Sequence, residues 1–144
     1  MSAPSSIAPH IGLEHVFDYH ADLESPVPIG PGPYGMRLFW QASGGRVDGP
    51  RLSGEILPGG GDWSLTRPDG WTRIDVRGQC RTDDGALLYF QYRGLAEPNA
   101  DVIRVAIDVE TGDPRYAWLT QSVLVGRGRM VPGPAVEYRI FRIA

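Results

Sequence analysis

The sequence predicts an all-β protein, specifically a closed antiparallel β-barrel of about eight strands. The first reason is that its 19 glycines and 13 prolines fall in turn motifs that recur too often to leave room for ordinary helices. The second is that the segments between those motifs alternate with a period of two, as half-buried strands do. The third is the length of 144 residues, which suits one domain with one core. A two-sheet sandwich with open edges is the alternative architecture.

The predicted elements follow in chain order. Residues 1–10 are expected to form a disordered or extended tail, because their first part is rich in Ser, Pro and Ala, and 11–144 are expected to form the single barrel domain. Nine segments are predicted to be strands: 13–21, 36–42, 51–57, 62–65, 71–81, 87–93, 102–109, 116–125 and 135–143. The turn motifs between them include 28–35 and 43–45, while 126–129 is expected to be an exposed hairpin.

Charge and composition exclude several classes of function. The net charge is −3, and all 14 basic residues are arginines scattered singly along the chain, so no basic stripe favours a nucleic-acid partner. Without lysine the protein cannot form a lysine Schiff base, which excludes the corresponding aldolase and pyridoxal chemistry. A small molecule is therefore the expected partner.

Compartment and assembly are also expectations at this point. Cys80 is a lone cysteine and gives no sign of an oxidising compartment. The sequence shows no signal-peptide pattern and no run of about 20 apolar residues, so a cytoplasmic protein with no membrane partner is expected. A homodimer or larger homo-oligomer is expected only because small β-barrels commonly associate.

No motif predicts a metal or a cofactor. His10, His15 and His20 are five residues apart, a spacing that aligns ligands on neither a strand nor a helix, and the known metal-binding motifs are missing. The glycines at 59–61 are not followed by a Gly-Lys-Ser/Thr phosphate loop. His15 shares an apolar face with Phe17, so it is either a core histidine or a proton carrier that reaches the lumen.

Several motifs occur in an order that resembles one protein family. They are Gly35–Arg37, Gly44–Gly54, Leu57–Trp63, Asp75–Arg77, Thr82–Gly85 and Tyr116–Leu119, and the similarity extends from about Leu13 to Ile143. Together they resemble the bacterial and fungal domain-of-unknown-function family 3237. The resemblance implies a small antiparallel β-barrel similar to the allene oxide cyclase barrels, and it implies no established activity.

The main candidates for catalysis are Asp75 and Arg77, which share one strand face with Trp71. Alternation alone favours the solvated outer face for them, with Ile74 and Val76 in the core. The resemblance, in which both Asp75 and Arg77 are motif positions, favours the lumen. We therefore expect this charged face to point inward.

Two further charged residues are candidates. Asp62 follows three glycines, which let a backbone approach a ligand closely, so it is either a carboxylate at the barrel mouth or a turn aspartate. Arg37 lies among Met36, Leu38 and Trp40; inside a barrel it would need a carboxylate partner or an anionic ligand.

Aromatic residues on predicted strands are candidates for the pocket wall. Tyr89, Tyr116, Trp118 and Tyr138 can supply flat apolar surface and phenolic donors. About half of the four are expected to be core residues instead. Trp63, Tyr116 and Trp118 are expected to orient the substrate and exclude water.

Three hypotheses follow. The first is a cofactor-independent isomerase, cyclase or lyase, in which Asp62 or Asp75 removes a proton beside a carbonyl and Arg37 or Arg77, helped by Tyr89, stabilises the enolate. The second is a non-catalytic barrel that binds an anionic or phenolic ligand. The third is a structural subunit filled with side chains, which a lumen smaller than about 300 Å³ would favour.

Overall fold

The computed structural model describes residues 6–144, and within this range the chain forms one ten-stranded antiparallel sheet that closes on itself. The strands are β1 (Leu13–Leu23), β2 (Val27–Gly32), β3 (Gly35–Asp48), β4 (Ser53–Ile56), β5 (Gly61–Thr66), β6 (Thr72–Thr82), β7 (Leu87–Ala96), β8 (Ile103–Glu110), β9 (Leu124–Val131) and β10 (Ala135–Ile143). The predicted closed barrel is confirmed. Of the predicted tail, residues 1–5 lie outside the described residues and 6–10 are exposed.

The barrel has eight positions around its circumference. Seven are filled by β1, β10, β9, β8, β7, β6 and β3, and pairing of β1 with β3 closes the ring. The eighth is shared by β4 and β5, which both lie between β3 and β6 at different heights. Strand β2 pairs with the first part of β3 beyond the end of β1.

Four predicted elements differ from the structure. The expected turn at 43–45 lies within β3, where Gly44 and Gly45 pair with β1. The Pro-rich motif 28–35 was expected to be a turn, but most of it forms β2, which pairs only with β3 and so tolerates proline. Residues 124–131 form β9 across the expected hairpin at 126–129.

The predicted strand 116–125 is wrong over its first part. Residues 114–116 form a 3₁₀ turn and Ala117–Thr120 a one-turn helix, α1. The Asp113 side chain caps this segment and Pro114 occupies its first turn, which are the usual residues for a helical start.

The charged face of β6 points outward. Ile74 and Val76 are buried at 7% and 6% exposure, whereas Arg77 is exposed and Asp75 is half-buried. The expectation that Asp75 and Arg77 face the lumen is therefore wrong. Burial of the two apolar side chains is favourable, while a guanidinium inside the barrel would lose its hydration.

The 3₁₀ turn and α1 close one end of the barrel. Leu119 of α1 is 1% exposed and packs in the core with Leu124 and Ile140, also at 1%. The other end, where β5–β6 and β7–β8 turn, contains a cavity. None of the helices among the described residues is long and apolar enough to cross a membrane.

Candidate functional site

A cavity of about 170 Å³ occupies the open half of the barrel. Its wall is mainly aliphatic and aromatic, including Leu38, Trp40, Ile74 and Phe90. The polar side chains that line it, apart from the exposed Arg77, are Tyr19, Asp62, Ser64, Thr66, Thr72, Tyr92 and Tyr138. The interior thus combines one carboxyl group with six hydroxyl groups in an otherwise apolar space.

Asp62 reaches the lumen because of its place in β5. It pairs with Trp40 on one side and Val76 on the other, and both of these neighbours belong to the inward-facing set, so strand alternation turns Asp62 inward as well. The same alternation places Ser64 and Thr66 on the inner face.

The Asp62 side chain also accepts a hydrogen bond where the pairing of β5 with β6 is interrupted. These strands pair at Gly61–Asp62 and again at Leu65–Thr66. Between the two pairings, the backbone N–H of Asp75 donates to Asp62 Oδ1 at 2.9 Å, and the Trp63 carbonyl accepts from Arg37 Nη1 at 2.8 Å. Two side chains therefore satisfy backbone groups at this gap.

The environment of Asp62 raises its pKa from 3.8 to about 6. Burial is the main cause, and the nearby Asp75 carboxylate adds to it, while the bond from the Asp75 N–H and the charge of Arg37 act in the opposite direction. A carboxyl group with this pKa is mostly ionised at neutral pH and can still accept a proton readily.

Four aromatic side chains, which we call the aromatic layer, separate the cavity from the closed half. They are Tyr19, Phe90, Tyr92 and Tyr138, and each lines the space on both sides. Tyr19 contacts the other three edge-on, with ring centroids 5.6–5.8 Å apart.

The three phenols of the aromatic layer are neutral hydrogen-bond donors. Burial raises the pKa of Tyr19, Tyr92 and Tyr138, and the charge of Asp62 raises each of them further. The Tyr92 hydroxyl donates to the Tyr19 hydroxyl at 3.4 Å, so the hydrogen of Tyr19 is left for another acceptor. The arrangement therefore offers a base and proton donors in one apolar space.

Three of the predicted site residues border this cavity: Asp62 and Tyr138 line its interior, and Arg77 lies at its wall with its side chain on the outer face. Their chemical roles stay predictions. Tyr19 and Tyr92 were not singled out from the sequence, although their signal was present. Tyr19 shares the apolar face of β1 with Ala21, and Tyr92 follows Phe90 by two residues on β7.

Arg37 and Trp63 lie on the outer face, so their predicted place in the lumen is wrong. In β3 the side chains of Leu38 and Trp40 take the inward positions, which turns Arg37 and Phe39 outward. Trp63 is 42% exposed and packs on Phe39 with ring centroids 4.7 Å apart.

Tyr89 is also outside the lumen, because Leu88 and Phe90 are the buried residues of that part of β7. Its hydroxyl contacts Gln91 at 3.2 Å. Three predicted site residues, Trp63, Arg77 and Tyr89, do come together, but along a surface groove of about 320 Å³. The three residues therefore lie near one another as expected, but on the outer face of the barrel and not in its lumen.

His15 is exposed, and the expectation that it reaches the core is wrong. The register of β1 against β10 shifts between His15 and Phe17, which is a β-bulge that turns His15 away from the face of Phe17. Its Nε2 contacts Asp18 Oδ1 at 2.7 Å.

Tyr116 and Trp118 belong to the closed end rather than to the cavity wall. The Tyr116 hydroxyl donates to Asp84 Oδ1 at 2.8 Å, and the Arg51 guanidinium lies 3.9 Å from the centre of the Trp118 ring. Both residues are on the helical segment that replaced a predicted strand, which explains their displacement.

Within residues 6–144, no three His, Cys, Asp or Glu side chains are grouped so that they could hold a metal ion. The described lumen has one carboxyl group and no imidazole or thiolate beside it. The chemistry that these residues can perform is proton transfer and hydrogen bonding.

The fold and the lumen define the chain as a small closed β-barrel protein with an internal cavity. It belongs to the family of proteins of unknown function designated DUF3237, whose model matches residues 11–143. This result confirms the resemblance suggested by the motifs.

Three relatives illustrate the similarity. A UPF0311 protein of Clostridium acetobutylicum is 30% identical over 132 residues, covering 80% of this chain and 84% of the relative. The structure of a β-barrel-like protein from Acinetobacter baumannii is 30% identical with a TM-score of 0.87, covering 97% of this chain and all of that one (100%). An enzyme from Penicillium herquei has a similar fold at 21% identity, with a TM-score of 0.78 and coverage of 98% and 100%.

Proposed function

We propose that the protein is a cofactor-independent enzyme that moves a proton beside a carbonyl group, as an isomerase, cyclase or lyase does. The observation that carries the proposal is the Asp62 carboxyl group, which lines an apolar cavity with a pKa raised to about 6. Perturbed carboxyl groups in cavities are typical of acid–base catalysts. The structurally similar Penicillium herquei protein, which is described as an enzyme, supports the same class.

In the proposed reaction, the Asp62 carboxylate removes a proton from the carbon next to the carbonyl. The electron pair of the broken C–H bond forms an enolate, whose oxygen accepts a hydrogen bond from Tyr19. The protonated Asp62 then returns the proton to another carbon, so atoms and charge balance without an added reagent. In this reaction a neutral tyrosine hydroxyl, and not Arg37 or Arg77, stabilises the enolate oxygen.

Cavity size limits the substrate. A volume of about 170 Å³ is below the 300 Å³ typical of ligand sites, and by itself this favours a barrel filled by its side chains. However, a cavity of about 150 Å³ is sufficient for a benzene-sized molecule. The carboxyl group in the wall favours a small ligand over a purely structural interior, because a neutral oxygen is enough to accept from the Asp75 N–H, whereas a charge in an apolar cavity is costly.

The test uses 3-cyclohexenone, a neutral one-ring ketone whose isomerisation to the conjugated 2-cyclohexenone is followed by ultraviolet absorbance. We expect the protein to accelerate this isomerisation and Asp62→Asn to lose about 10²–10⁴-fold, the usual contribution of a general base. The rate should fall as the pH drops through about 6, where Asp62 becomes protonated.

Asp108→Asn is the matched control, because Asp108 is exposed on β8. An Asp62→Asn variant as active as the control would refute the role of Asp62. Tight binding of the ketone without any isomerisation would instead favour the alternative function, a non-catalytic small-molecule-binding barrel. That alternative is supported by the largely apolar wall, and it was first expected for an anionic or phenolic ligand.

A further inference from the structure

Besides Asp62, the cavity has a pair of polar side chains near its mouth. Thr66 at the end of β5 and Thr72 at the start of β6 face each other across the two strands, and their hydroxyl oxygens are 2.8 Å apart. Both residues line the cavity. A hydrogen bond between two hydroxyls uses only one of their two hydrogens, so one O–H remains for a ligand acceptor.

Asp62 and the Thr66–Thr72 pair lie well apart in the cavity wall. Four residues of β5 separate Asp62 from Thr66, which is about 13 Å along a strand, so the two polar groups meet different ends of a bound molecule. The volume of about 170 Å³ is enough for one ring, since a cavity of about 150 Å³ holds benzene.

Charge in the cavity selects against anions. The one basic residue at the cavity wall, within the described chain, is Arg77, and it is exposed with its side chain on the outer face. An anionic ligand would therefore enter an apolar space beside the Asp62 carboxylate with no positive side chain pointing into that space, and the outward-facing Arg37 already interacts with Asp62, so its entry is unfavourable. This argues against the anionic ligand of the sequence-based alternative.

We propose that the lumen binds an uncharged single-ring ketone that carries a second oxygen substituent, with the carbonyl at the aromatic layer and the substituent at the Thr66–Thr72 hydroxyl pair. The orientation of the ring rests on the proposed function, since it places the carbon beside the carbonyl at Asp62. The charge and the size of the ligand rest on the cavity alone.

The test compares three probes of similar size at neutral pH: 4-hydroxyacetophenone, 4-methylacetophenone and 4-acetylbenzoate. Binding is measured by calorimetry and by the quenching of tryptophan fluorescence, to which Trp40 at the cavity contributes. We expect the hydroxy ketone to bind about 2–10-fold more tightly than the methyl ketone, the gain typical of one hydrogen bond. The benzoate should bind at least about 100-fold more weakly than either.

Three variants test whether the Thr66–Thr72 hydroxyls cause the preference for the hydroxy ketone. The double variant Thr66→Val/Thr72→Val should abolish the preference for the hydroxy ketone, because valine keeps the shape and neither position then offers a hydroxyl. Thr66→Ser/Thr72→Ser should retain the preference, which separates the loss of the hydroxyls from a damaged barrel. Thr120→Val is the surface control, since Thr120 is exposed on α1 at the closed end and bonds only the Ala117 carbonyl.

Either of two results would overturn the inference: binding of the benzoate as tight as that of the ketones, or an unchanged hydroxyl preference in Thr66→Val/Thr72→Val. Because the readout is binding, it is independent of turnover. If the preference holds while Asp62→Asn remains active, the ligand class stands and the proposed catalytic role falls. If Asp62 is essential for activity but the benzoate binds as well as the ketones, the proposed catalytic role stands and the ligand class falls.

Discussion

The two halves of the barrel are built from the same strands but are packed differently. In the closed half, α1 and the inner faces of the strands leave a void of only about 30 Å³. In the open half, the cavity is about 170 Å³, and the aromatic layer lies between the two. The comparison shows how one barrel can devote one half to a solid core and the other to a binding space.

The halves also differ in polarity. Apart from the hydroxyls of Tyr19, Tyr92 and Tyr138 and the Cys80 thiol, the void of the closed half is lined by aliphatic and phenyl side chains. The open half contains Asp62, Ser64 and the Thr66–Thr72 pair. We therefore expect substitutions in the closed half to act mainly on stability and those in the open half mainly on binding and pH dependence.

The largest expected effect is the contrast between Leu119→Ala and Leu38→Ala. Leu119 is fully packed in the closed half, so its truncation should lower the free energy of unfolding by about 3 kcal/mol. Leu38 is half-buried and already borders the cavity, so the same substitution should cost about 1 kcal/mol. Urea unfolding of both variants measures the difference, and equal losses would contradict the division into two halves.

The second prediction concerns the pH dependence of stability. Because the folded state raises the pKa of Asp62 from 3.8 to about 6, the folded protein binds its proton more tightly than the unfolded chain does. The resulting stability is fully present below about 3.8 and is lost as the pH rises through about 6. Asp62→Asn, which keeps an oxygen for the Asp75 N–H, should therefore be about 2 kcal/mol more stable than the natural protein at pH 8.

Urea unfolding at several pH values checks this prediction. The advantage of Asp62→Asn should be level at pH 8 and shrink as the pH falls from about 6 to about 4, whereas Asp108→Asn should follow the natural protein throughout. An advantage of the Asn variant that does not change with pH would mean that Asp62 is ionised equally readily in the folded and unfolded states.

The third prediction concerns a substitution that fills the cavity. Ala96 is buried on the inner face of β7 and lines the open half. Ala96→Leu should raise the free energy of unfolding by about 1 kcal/mol, as cavity-filling substitutions commonly do, and should prevent binding of the ketone probes. Calorimetry and urea unfolding report the two effects separately. If Ala96→Leu is destabilised and still binds the ketone probes, the cavity beside Ala96 is too small for leucine and the probes bind elsewhere.

The smallest expected effect is at the mouth. Ala100, in the β7–β8 turn beside the cavity, has a φ of +55°, a conformation that glycine adopts with less strain. Ala100→Gly should therefore increase the free energy of unfolding by about 0.5 kcal/mol. Thermal unfolding checks the sign, and a lower midpoint would indicate that Ala100 is not strained in the folded protein.

Sequence reasoning predicted the barrel well because its signals are local and repeated. Alternation identified most of the strands, and turn motifs such as Asp83–Gly85 marked their ends. The helical closure was missed although its signal was present, since Asp113 and Pro114 form a usual helical start. The Tyr and Trp residues that follow also suit a strand, and this composition outweighed the capping signal.

The direction of each face was harder to predict than the strands themselves. On β6, alternation alone favoured the outer face for Asp75 and Arg77, with Ile74 and Val76 in the core, and the structure agrees. The error came from the family resemblance, which identifies motif positions but does not show which way a side chain points. On β1, the bulge after His15 reverses the alternation, and nothing in the neighbouring residues marks it. Asp62 could be placed at a pocket because of its glycines, but its pKa depends on burial that only the folded barrel creates.

The shared position of β4 and β5 has a consequence for how such a barrel can diversify. Residues 57–60 leave the wall between the two strands, and Leu57 and Gly60 border the cavity. They are tied to the neighbouring strands by single backbone bonds, such as Leu57 N–H to the Gln79 carbonyl and Ala42 N–H to the Gly60 carbonyl. Insertions at this junction would reshape the lumen while every ladder that closes the ring stays in register, which makes it a suitable place to enlarge the cavity.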